Sequence, residues 1–192
     1  MPQQAGEPSV LCRRARLARC LREEKDAEYM DGKLRCMTSV YLSKSNKMLL
    51  LYRQGRSVVN NLWIGSAGGH FEKDELNDAG ACVLRELEEE TGLTASEISE
   101  LSLRYVTLKR TKGELRQNYY FFAELKEHVD TDIISNEGIC KWFDYDELNS
   151  LEMPFTAQYV IRHYLETGKL NDKVYGGIAD GEKVVFIEMP EF

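Results

Sequence analysis

The stretch Gly68–Leu93, GGHFEKDELNDAGACVLRELEEETGL, decides the fold. Its last two thirds predict a short helix, because Asn77 or Asp78 can cap the start and Gly92 can adopt the left-handed conformation just beyond the end. At helical spacing, the residues expected to face the core form one stripe, namely Gly80, Val83, Leu84 and Leu87.

Three carboxylates share a neighbouring face of this helix, at positions i, i+3 and i+4. They are Glu86, Glu89 and Glu90, while Glu88 points elsewhere. Such carboxylates repel one another and oppose the helix dipole, at about 0.3–1 kcal/mol each when exposed, and Arg85 offsets part of this cost. Charge alone leaves two interpretations open: a solvated acidic surface, or a site for a hard cation that takes oxygen ligands, such as Mg²⁺.

The composition is that of a soluble globular protein. The 192 residues, 43% hydrophobic and 30% charged, suit one domain, or one domain with appendages, and argue against general disorder. A net charge of −7 provides no basic surface for nucleic acid, although a bound metal would still allow an anionic substrate. The longest apolar runs are strand-sized and no apolar signal region follows the start, so neither a membrane span nor a secretory signal is expected.

The cysteines and the N-terminus carry weaker information. Five widely spaced cysteines without a C-x-x-C pair favour free thiols in a reducing cytoplasm over a zinc site. Residues 1–30 begin with arginines and turn acidic, and their six basic and five acidic side chains leave a net charge of +1. We interpret this segment as an N-terminal extension, helical or flexible, in preference to a nucleic-acid arm or a transit peptide.

The remainder, 31–192, reads as one domain in which strands and helices alternate. The predicted elements after the extension are a hairpin at 34–53, an extended glycine-rich segment at 62–71, the helix described above, a hairpin at 101–125, a strand running into a helix start at 139–148 and a helix at 155–168. The tail is predicted to form a hairpin or an extended arm that turns at Asp180–Gly181. This order predicts a mixed α/β sandwich whose sheet is covered by helices on both sides.

The opening stretch resembles the signature of the Nudix hydrolase family: Gly, five residues, Glu, seven residues, then Arg-Glu-apolar-any-Glu-Glu-any-Gly-apolar. Residues 85–93 fit the whole second half, and Gly69 and Glu75 fit the first. Nine residues, 76–84, separate Glu75 from Arg85, so the two additional residues are expected in the loop before the helix. The resemblance extends over 34–165 and implies an α/β/α sandwich with a mixed sheet and a loop–helix–loop.

The resemblance also implies a metal site for Mg²⁺ or Mn²⁺. Its ligands would be Glu86, Glu89, Glu90 and the carbonyl of Gly68. Arg85 would orient the carboxylates. The implied catalytic residues are Glu86, Glu89, Arg85 and Glu137, which precedes a later strand. The alternative interpretation of Glu137 is an exposed acidic residue of a loop. In such sites a metal-activated water attacks phosphorus and a general base takes its proton.

Candidate substrate-binding residues lie outside the signature: Arg53, Asn61, Trp63 and Tyr119. The basic residues that can hold phosphates, or can simply be solvated, are Arg53, Arg56, Lys109, Arg110 and Arg116. In the aromatic run 119–122, alternate rings face opposite sides of a strand, and at least two are expected in the core. Cys82 is expected to be a small buried side chain.

The tail, 152–189, resembles the C-terminal part of MutT-type proteins described as 8-oxo-dGTP diphosphatases. This implies hydrolysis of a purine nucleoside triphosphate, oxidised or not, to a monophosphate and pyrophosphate. The alternatives are an ADP-ribose or nucleotide-sugar pyrophosphatase, a ligand-sensing domain without turnover, and an acidic helix on a structural domain. A small-molecule nucleotide is the expected partner, without nucleic acid or membrane; a homodimer is compatible with the sequence, and the expected location is cytoplasmic.

Overall fold

The computed structural model describes residues 33–54 and 61–191. Within these ranges the strands are β1 Lys33–Lys44, β2 Lys47–Arg53, β3 Leu62–Ile64, β4 Ile98–Thr111, β5 Glu114–Leu125, β6 Gly138–Asp144, β7 Val174–Ala179 and β8 Val184–Met189. The helices are α1 Ala79–Thr91 and α2 Phe155–Glu166, with 3₁₀ turns at Leu148–Ser150 and Gly168–Leu170. The predicted extension 1–30 and Arg56 lie outside the described residues.

The described strands form one mixed sheet in the order β3-β2-β1-β5-β4-β7-β8, with β6 paired to β2. The pairs β1–β5 and β4–β7 are parallel, and the other neighbours are antiparallel. The parallel pair β1–β5 lies at the centre of this order, so its residues contribute to both faces of the sheet. The mixed sheet predicted from the sequence is therefore confirmed.

The predicted hairpins are confirmed, because their turn residues adopt the conformations that tight turns require. Ser45 and Asn46, between β1 and β2, have φ values of 50° and 65°. Lys112 and Gly113, between β4 and β5, have φ values of 51° and 75°. Two successive residues with positive φ are typical of the turn whose twist matches the flanking strands, and asparagine and glycine adopt it most easily.

Helices cover both faces of the sheet, as predicted. Helix α1 packs on one face through a cluster that includes Val83, Leu87, Val40, Leu42 and Phe121. Helix α2 packs on the opposite face through a cluster that includes Val160, Ile161, Tyr41, Tyr120 and Phe122. Neither described helix is long and apolar enough to cross a membrane. Because side chains alternate along β1 and β5, each of these strands contributes to both clusters.

The boundaries of α1 follow from its two caps. The Asp78 carboxylate accepts the N–H of Ala81 at 2.9 Å, and Gly92 ends the helix at φ 74° while donating its N–H to the carbonyl of Glu88. Since the helix begins at Ala79, residues 76–78 of the longer spacer lie before it. Val83 and Leu87 are buried, as expected, together with Cys82.

We expect Asp78→Ala to lower the free energy of unfolding by about 1 kcal/mol, since it leaves a helix N–H without its cap. Asp74→Ala is the matched control, because Asp74 is exposed in the same segment, and its effect should stay within about 0.5 kcal/mol. Urea denaturation of both variants measures the difference; equal destabilisation would show that the cap contributes nothing.

Candidate active site

Two glycines bring the loop after β3 against both β1 and α1. Gly68 has a φ of 154°, and a side chain there would collide with the carbonyl of Thr38. A side chain at Gly69 would collide with the carboxylate of Glu86. The Thr38 N–H donates to the Gly69 carbonyl at 2.8 Å, which fixes the loop on β1. This close approach explains why both positions require glycine.

Arg85 is the centre of the carboxylate arrangement. Its Nε and Nη2 donate to the two oxygens of Glu75 at 2.6 and 2.9 Å. Its Nη1 donates to Glu86 at 3.0 Å and to Glu89 at 2.9 Å, and Nη2 also donates to the carbonyl of His70 at 3.1 Å. These hydrogen bonds, the Glu75 one first, raise the pKa of Arg85 above its usual value. One guanidinium therefore joins the helix, the preceding turn and the glycine loop.

Glu75 keeps its contact with Arg85 despite the longer spacer. Its residue is only 8% exposed, and its carboxylate also accepts the N–H of Glu72 at 2.9 Å. The hydrogen bond from Arg85 lowers the pKa of Glu75 to about 2, against the opposing effect of burial. Glu75 is thus a permanently ionised partner of Arg85 near neutral pH.

Glu86 and Glu90 occupy a different electrostatic environment. The N–H of Gly68 donates to Glu90 at 3.1 Å. Burial raises the pKa of Glu90 to about 7, the Gly68 hydrogen bond opposes this, and the nearby charges of Glu86 and Glu137 raise it further. Burial also raises the pKa of Glu86 against the effect of Arg85. Glu86 and Glu137 therefore both repel Glu90, which contacts the glycine loop at Gly68.

The described residues contain no group of three ligating side chains already arranged around a metal position. Glu89 points to Arg85, and its side chain is 59% exposed. In chemistry, however, the carboxylates fit a hard divalent cation, which prefers carboxylate and carbonyl oxygens and would relieve the repulsion at Glu90.

Glu137 lies in the loop before β6, where its side chain is paired with Arg53. The two side chains form an ion pair at 2.8 Å, in which Arg53 is 25% and Glu137 21% exposed. The loop before β6 is held against α1 by Asn136, whose N–H and Nδ2 donate to the carbonyls of Glu90 and Glu89 at 3.2 and 2.9 Å. Helix α1 therefore positions Glu137.

A cavity of about 390 Å³ opens beside these groups, between the sheet and the start of α2. This volume is within the range of about 300–1,000 Å³ that small-molecule sites occupy. Gly68 and Arg53 are among its lining residues, so the cavity begins at the carboxylates. The others include Arg35, Met37, Tyr41, His70, Lys109, Arg116, Asn118, Tyr120, Phe155 and Thr156.

Of the four predicted substrate-binding residues, Arg53 lines the cavity and three do not. Trp63 packs edge-on against Phe143, with ring centroids 4.6 Å apart. Asn61 is exposed, and its N–H donates to the carbonyl of Arg53. Tyr119 packs with the α1 cluster, because side chains on β5 alternate and the even-numbered residues face the cavity.

The structure adds polar cavity residues that the sequence did not single out, among them Asn118 and His70. The Oδ1 atom of Asn118 is buried without a hydrogen-bond partner among the described residues, while its Nδ2 donates to the Tyr120 hydroxyl at 3.3 Å. His70 lies 3.4 Å from Arg35, and burial first, then that charge, lowers its pKa. For Asn118, the sequence signal was the alternation along the strand, which places Arg116, Asn118 and Tyr120 on one face.

Other interpretations of single residues are also settled by their surroundings. Cys82 is fully buried, as expected, and burial raises the pKa of its thiol to about 11. The thiol therefore stays protonated and unreactive near neutral pH. In the aromatic run, Tyr120, Phe121 and Phe122 are buried, which confirms that at least two belong to the core.

Residues 34–164 match the family model described as the NUDIX domain. The chain belongs to the Nudix family. It is a Nudix hydrolase, and members of this family are generally pyrophosphohydrolases that act on small molecules and use divalent metals. No curated protein matches the chain.

Solved structures of low sequence identity share this fold. A MutT protein from Bacillus halodurans is 22% identical, with 82% of this chain and 99% of that chain covered and a TM-score of 0.56. A MutT protein from Methanosarcina mazei is 19% identical, with 71% and 96% covered and a TM-score of 0.58. A Nudix hydrolase from Nitrosomonas europaea is 19% identical, with 71% and 91% covered and a TM-score of 0.55. These similarities extend the family's fold over most of the described chain.

We expect Glu75→Ala to lower the free energy of unfolding by about 2–3 kcal/mol, because it leaves Arg85 without its bidentate partner. This loss lies between the costs of breaking an exposed and a fully buried ion pair. Glu72→Ala, in the same turn and exposed, should stay within about 0.5 kcal/mol. Denaturant unfolding of both variants is the measurement, and equal losses would remove the assigned role of Glu75.

We expect Glu90→Gln to stabilise the metal-free protein at pH 8, with a gain that disappears on acidification. Folding raises the pKa of Glu90 from 4.5 to about 7. The charged form therefore destabilises the parent fully above the folded pKa, and this cost is lost as the pH falls toward the unfolded pKa. Melting temperatures in EDTA at pH 5 and pH 8 test this, with exposed Glu88→Gln as control. A variant that melts below the parent at pH 8 would contradict the assignment.

Proposed function

We propose that this Nudix hydrolase is a Mg²⁺- or Mn²⁺-dependent pyrophosphohydrolase that cleaves a purine nucleoside triphosphate, oxidised or not, to a monophosphate and pyrophosphate. One observation carries the proposal. A single cavity extends from the glycine loop, where Glu90 contacts Gly68, to Asn118 and the aromatic ring of Tyr120. Such a cavity can hold a diphosphate at one end and a nucleoside at the other.

The metal ligands in this proposal are Glu86, Glu89, Glu90 and the carbonyl of Gly68. A bound divalent ion would neutralise the diphosphate and lower the pKa of a coordinated water. Arg85 holds the carboxylates of Glu86 and Glu89 by hydrogen bonds, and so it orients them from behind. The mutual repulsion of the buried carboxylates supports this role, because it favours a site that gains from a cation.

Arg53 and Glu137 provide the phosphate contact and the proton acceptor in the proposed reaction. Arg53 Nε is buried without a hydrogen-bond partner among the residues that the structure describes, and Arg53 lines the cavity. A phosphate oxygen would satisfy this donor. Glu137 is the proposed general base, since its carboxylate lies at Arg53 and close enough to Glu90 to raise that group's pKa.

Asn118 supports recognition of a base. An amide oxygen without a partner is costly when buried, and an N–H group of a purine would satisfy it. Tyr120 and Phe155 also line the cavity and offer aromatic surfaces for a base. The described cysteines, Cys36, Cys82 and Cys140, are free thiols, in keeping with the proposed cytoplasmic location. A homodimer stays a prediction.

Carboxamide variants on α1 test the proposed metal site. We expect Glu86→Gln and Glu90→Gln to lower Mg²⁺-dependent kcat/KM by about 100-fold or more, because changing even the groups that support a metal ligand costs about 10–100-fold. Glu88→Gln is the matched control on the same helix, where Glu88 is exposed, and should keep parental activity. Undiminished turnover in Glu90→Gln would rule out the proposed site.

The proposed substrate class is tested by a panel of oxidised and normal nucleoside triphosphates, ADP-ribose and nucleotide sugars, scored by product identity. Release of pyrophosphate with a monophosphate supports the proposal. Two phosphate-bearing fragments from ADP-ribose, without triphosphate hydrolysis, would replace it with the nucleotide-sugar alternative. Binding without turnover of any compound would favour a ligand sensor.

A further inference from the structure

Three basic side chains lie in one row across three neighbouring strands. Arg35 on β1 pairs with Arg116 on β5, and Arg116 pairs with Lys109 on β4. All three line the cavity, so they project from the same face of the sheet. We call these three residues the basic row. Like charges directly opposite on adjacent strands destabilise a sheet, and the chain as a whole is acidic, so composition does not explain the row.

The basic row is only partly neutralised. Glu114 forms ion pairs with Arg35 at 3.4 Å and Arg116 at 3.2 Å, and it is the row's one ion-pair partner among the described residues. Three cations against one carboxylate leave two positive charges. Lys109 Nζ lies 5.4 Å from the centre of the Phe155 ring, without a carboxylate partner in the described part of the chain. The row thus retains capacity to bind an anion.

The row is separated from the carboxylates of α1. Gly68, which contacts Glu90, lies against Thr38, three residues beyond Arg35 on β1. At about 3.3 Å per residue, the row lies roughly 10 Å along β1 from Thr38, the residue that Gly68 contacts. His70, two residues after Gly68, lies between them, because its ring is 3.4 Å from Arg35. The cavity consequently extends from Gly68, which contacts Glu90 of α1, to the basic side chains on β1, β5 and β4.

We propose that the basic row is a second anion subsite, which binds a phosphate group carried on the nucleoside part of the substrate. This inference rests on the proposed function and narrows its substrate class to nucleoside triphosphates, or in the alternative class nucleotide-linked diphosphates, that carry an additional phosphate remote from the cleaved bond. The two arginines suit a phosphate because a guanidinium presents parallel N–H donors to two oxygens. Lys109 adds a point charge from the next strand.

The subsite is tested with matched pairs of compounds. The members of each pair differ only by one phosphate or one diphosphate group on the nucleoside part. They are GTP and guanosine 3′-diphosphate 5′-triphosphate, ADP-ribose and its 2′-phosphate, and dephospho-coenzyme A and coenzyme A. Each pair is measured as kcat/KM with Mg²⁺ and as Kd by calorimetry in EDTA. We expect the parent to prefer the more phosphorylated member of at least one pair by about tenfold or more, as one charged hydrogen bond allows.

Arg116→Gln and Lys109→Gln should each reduce that preference to about twofold or less. Arg162→Gln is the matched control, because it removes one positive charge from an exposed position of α2, and it should retain the parental ratio. Melting temperatures establish that each variant folds. If Arg116→Gln is unfolded, Lys109→Gln alone decides.

Equal Kd values for both members of every pair, or a preference that both Lys109→Gln and Arg116→Gln retain, would overturn the subsite. The outcome for the proposed function is separate. Absence of Mg²⁺-dependent hydrolysis of every diphosphate compound would contradict the proposed function, whereas the ratio of Kd values would still decide whether the basic row binds a phosphate.

Discussion

The bidentate pair between Arg85 and Glu75 is the interaction on which the arrangement of the site depends. It fixes the guanidinium at the start of the carboxylate face, where the remaining N–H groups reach Glu86, Glu89 and the carbonyl of His70. A lysine has no planar set of donors and would not bind these groups together. The helix, its preceding turn and the glycine loop therefore share one cation, which explains how an acidic helix end is tolerated.

Arg85 divides the carboxylates into two classes. Glu75, Glu86 and Glu89 accept its hydrogen bonds directly, whereas Glu90 is half-buried against Gly68 beside the charges of Glu86 and Glu137. Among the described residues no cation forms an ion pair with Glu90. In the proposed metal site, Glu90 is therefore the carboxylate that would gain most from a divalent cation.

The sequence was sufficient wherever structure depends on neighbouring residues. Asp78 and Gly92 define α1, and the residues with positive φ at Asn46 and Gly113 define two hairpins. It was insufficient where pairing between distant strands decides which way a side chain points. Tyr119 was one of the predicted substrate-binding residues, yet in the parallel register of β5 against β1 its neighbour Asn118 faces the cavity. A shift of one residue in a strand exchanges the two faces, and no local pattern fixes that register.

The same reasoning explains why the signature identifies the chemistry but not the substrate. The carboxylates of the signature lie on α1 and in the segment before it, and Glu90 contacts Gly68 at one end of the cavity. The opposite end is built by β1, β4 and β5, where register places Arg35, Arg116 and Lys109 side by side. In the proposed subsite, selectivity would follow from differences in binding to those side chains. Chains with an intact signature can therefore differ in substrate through a few substitutions on one face of three strands.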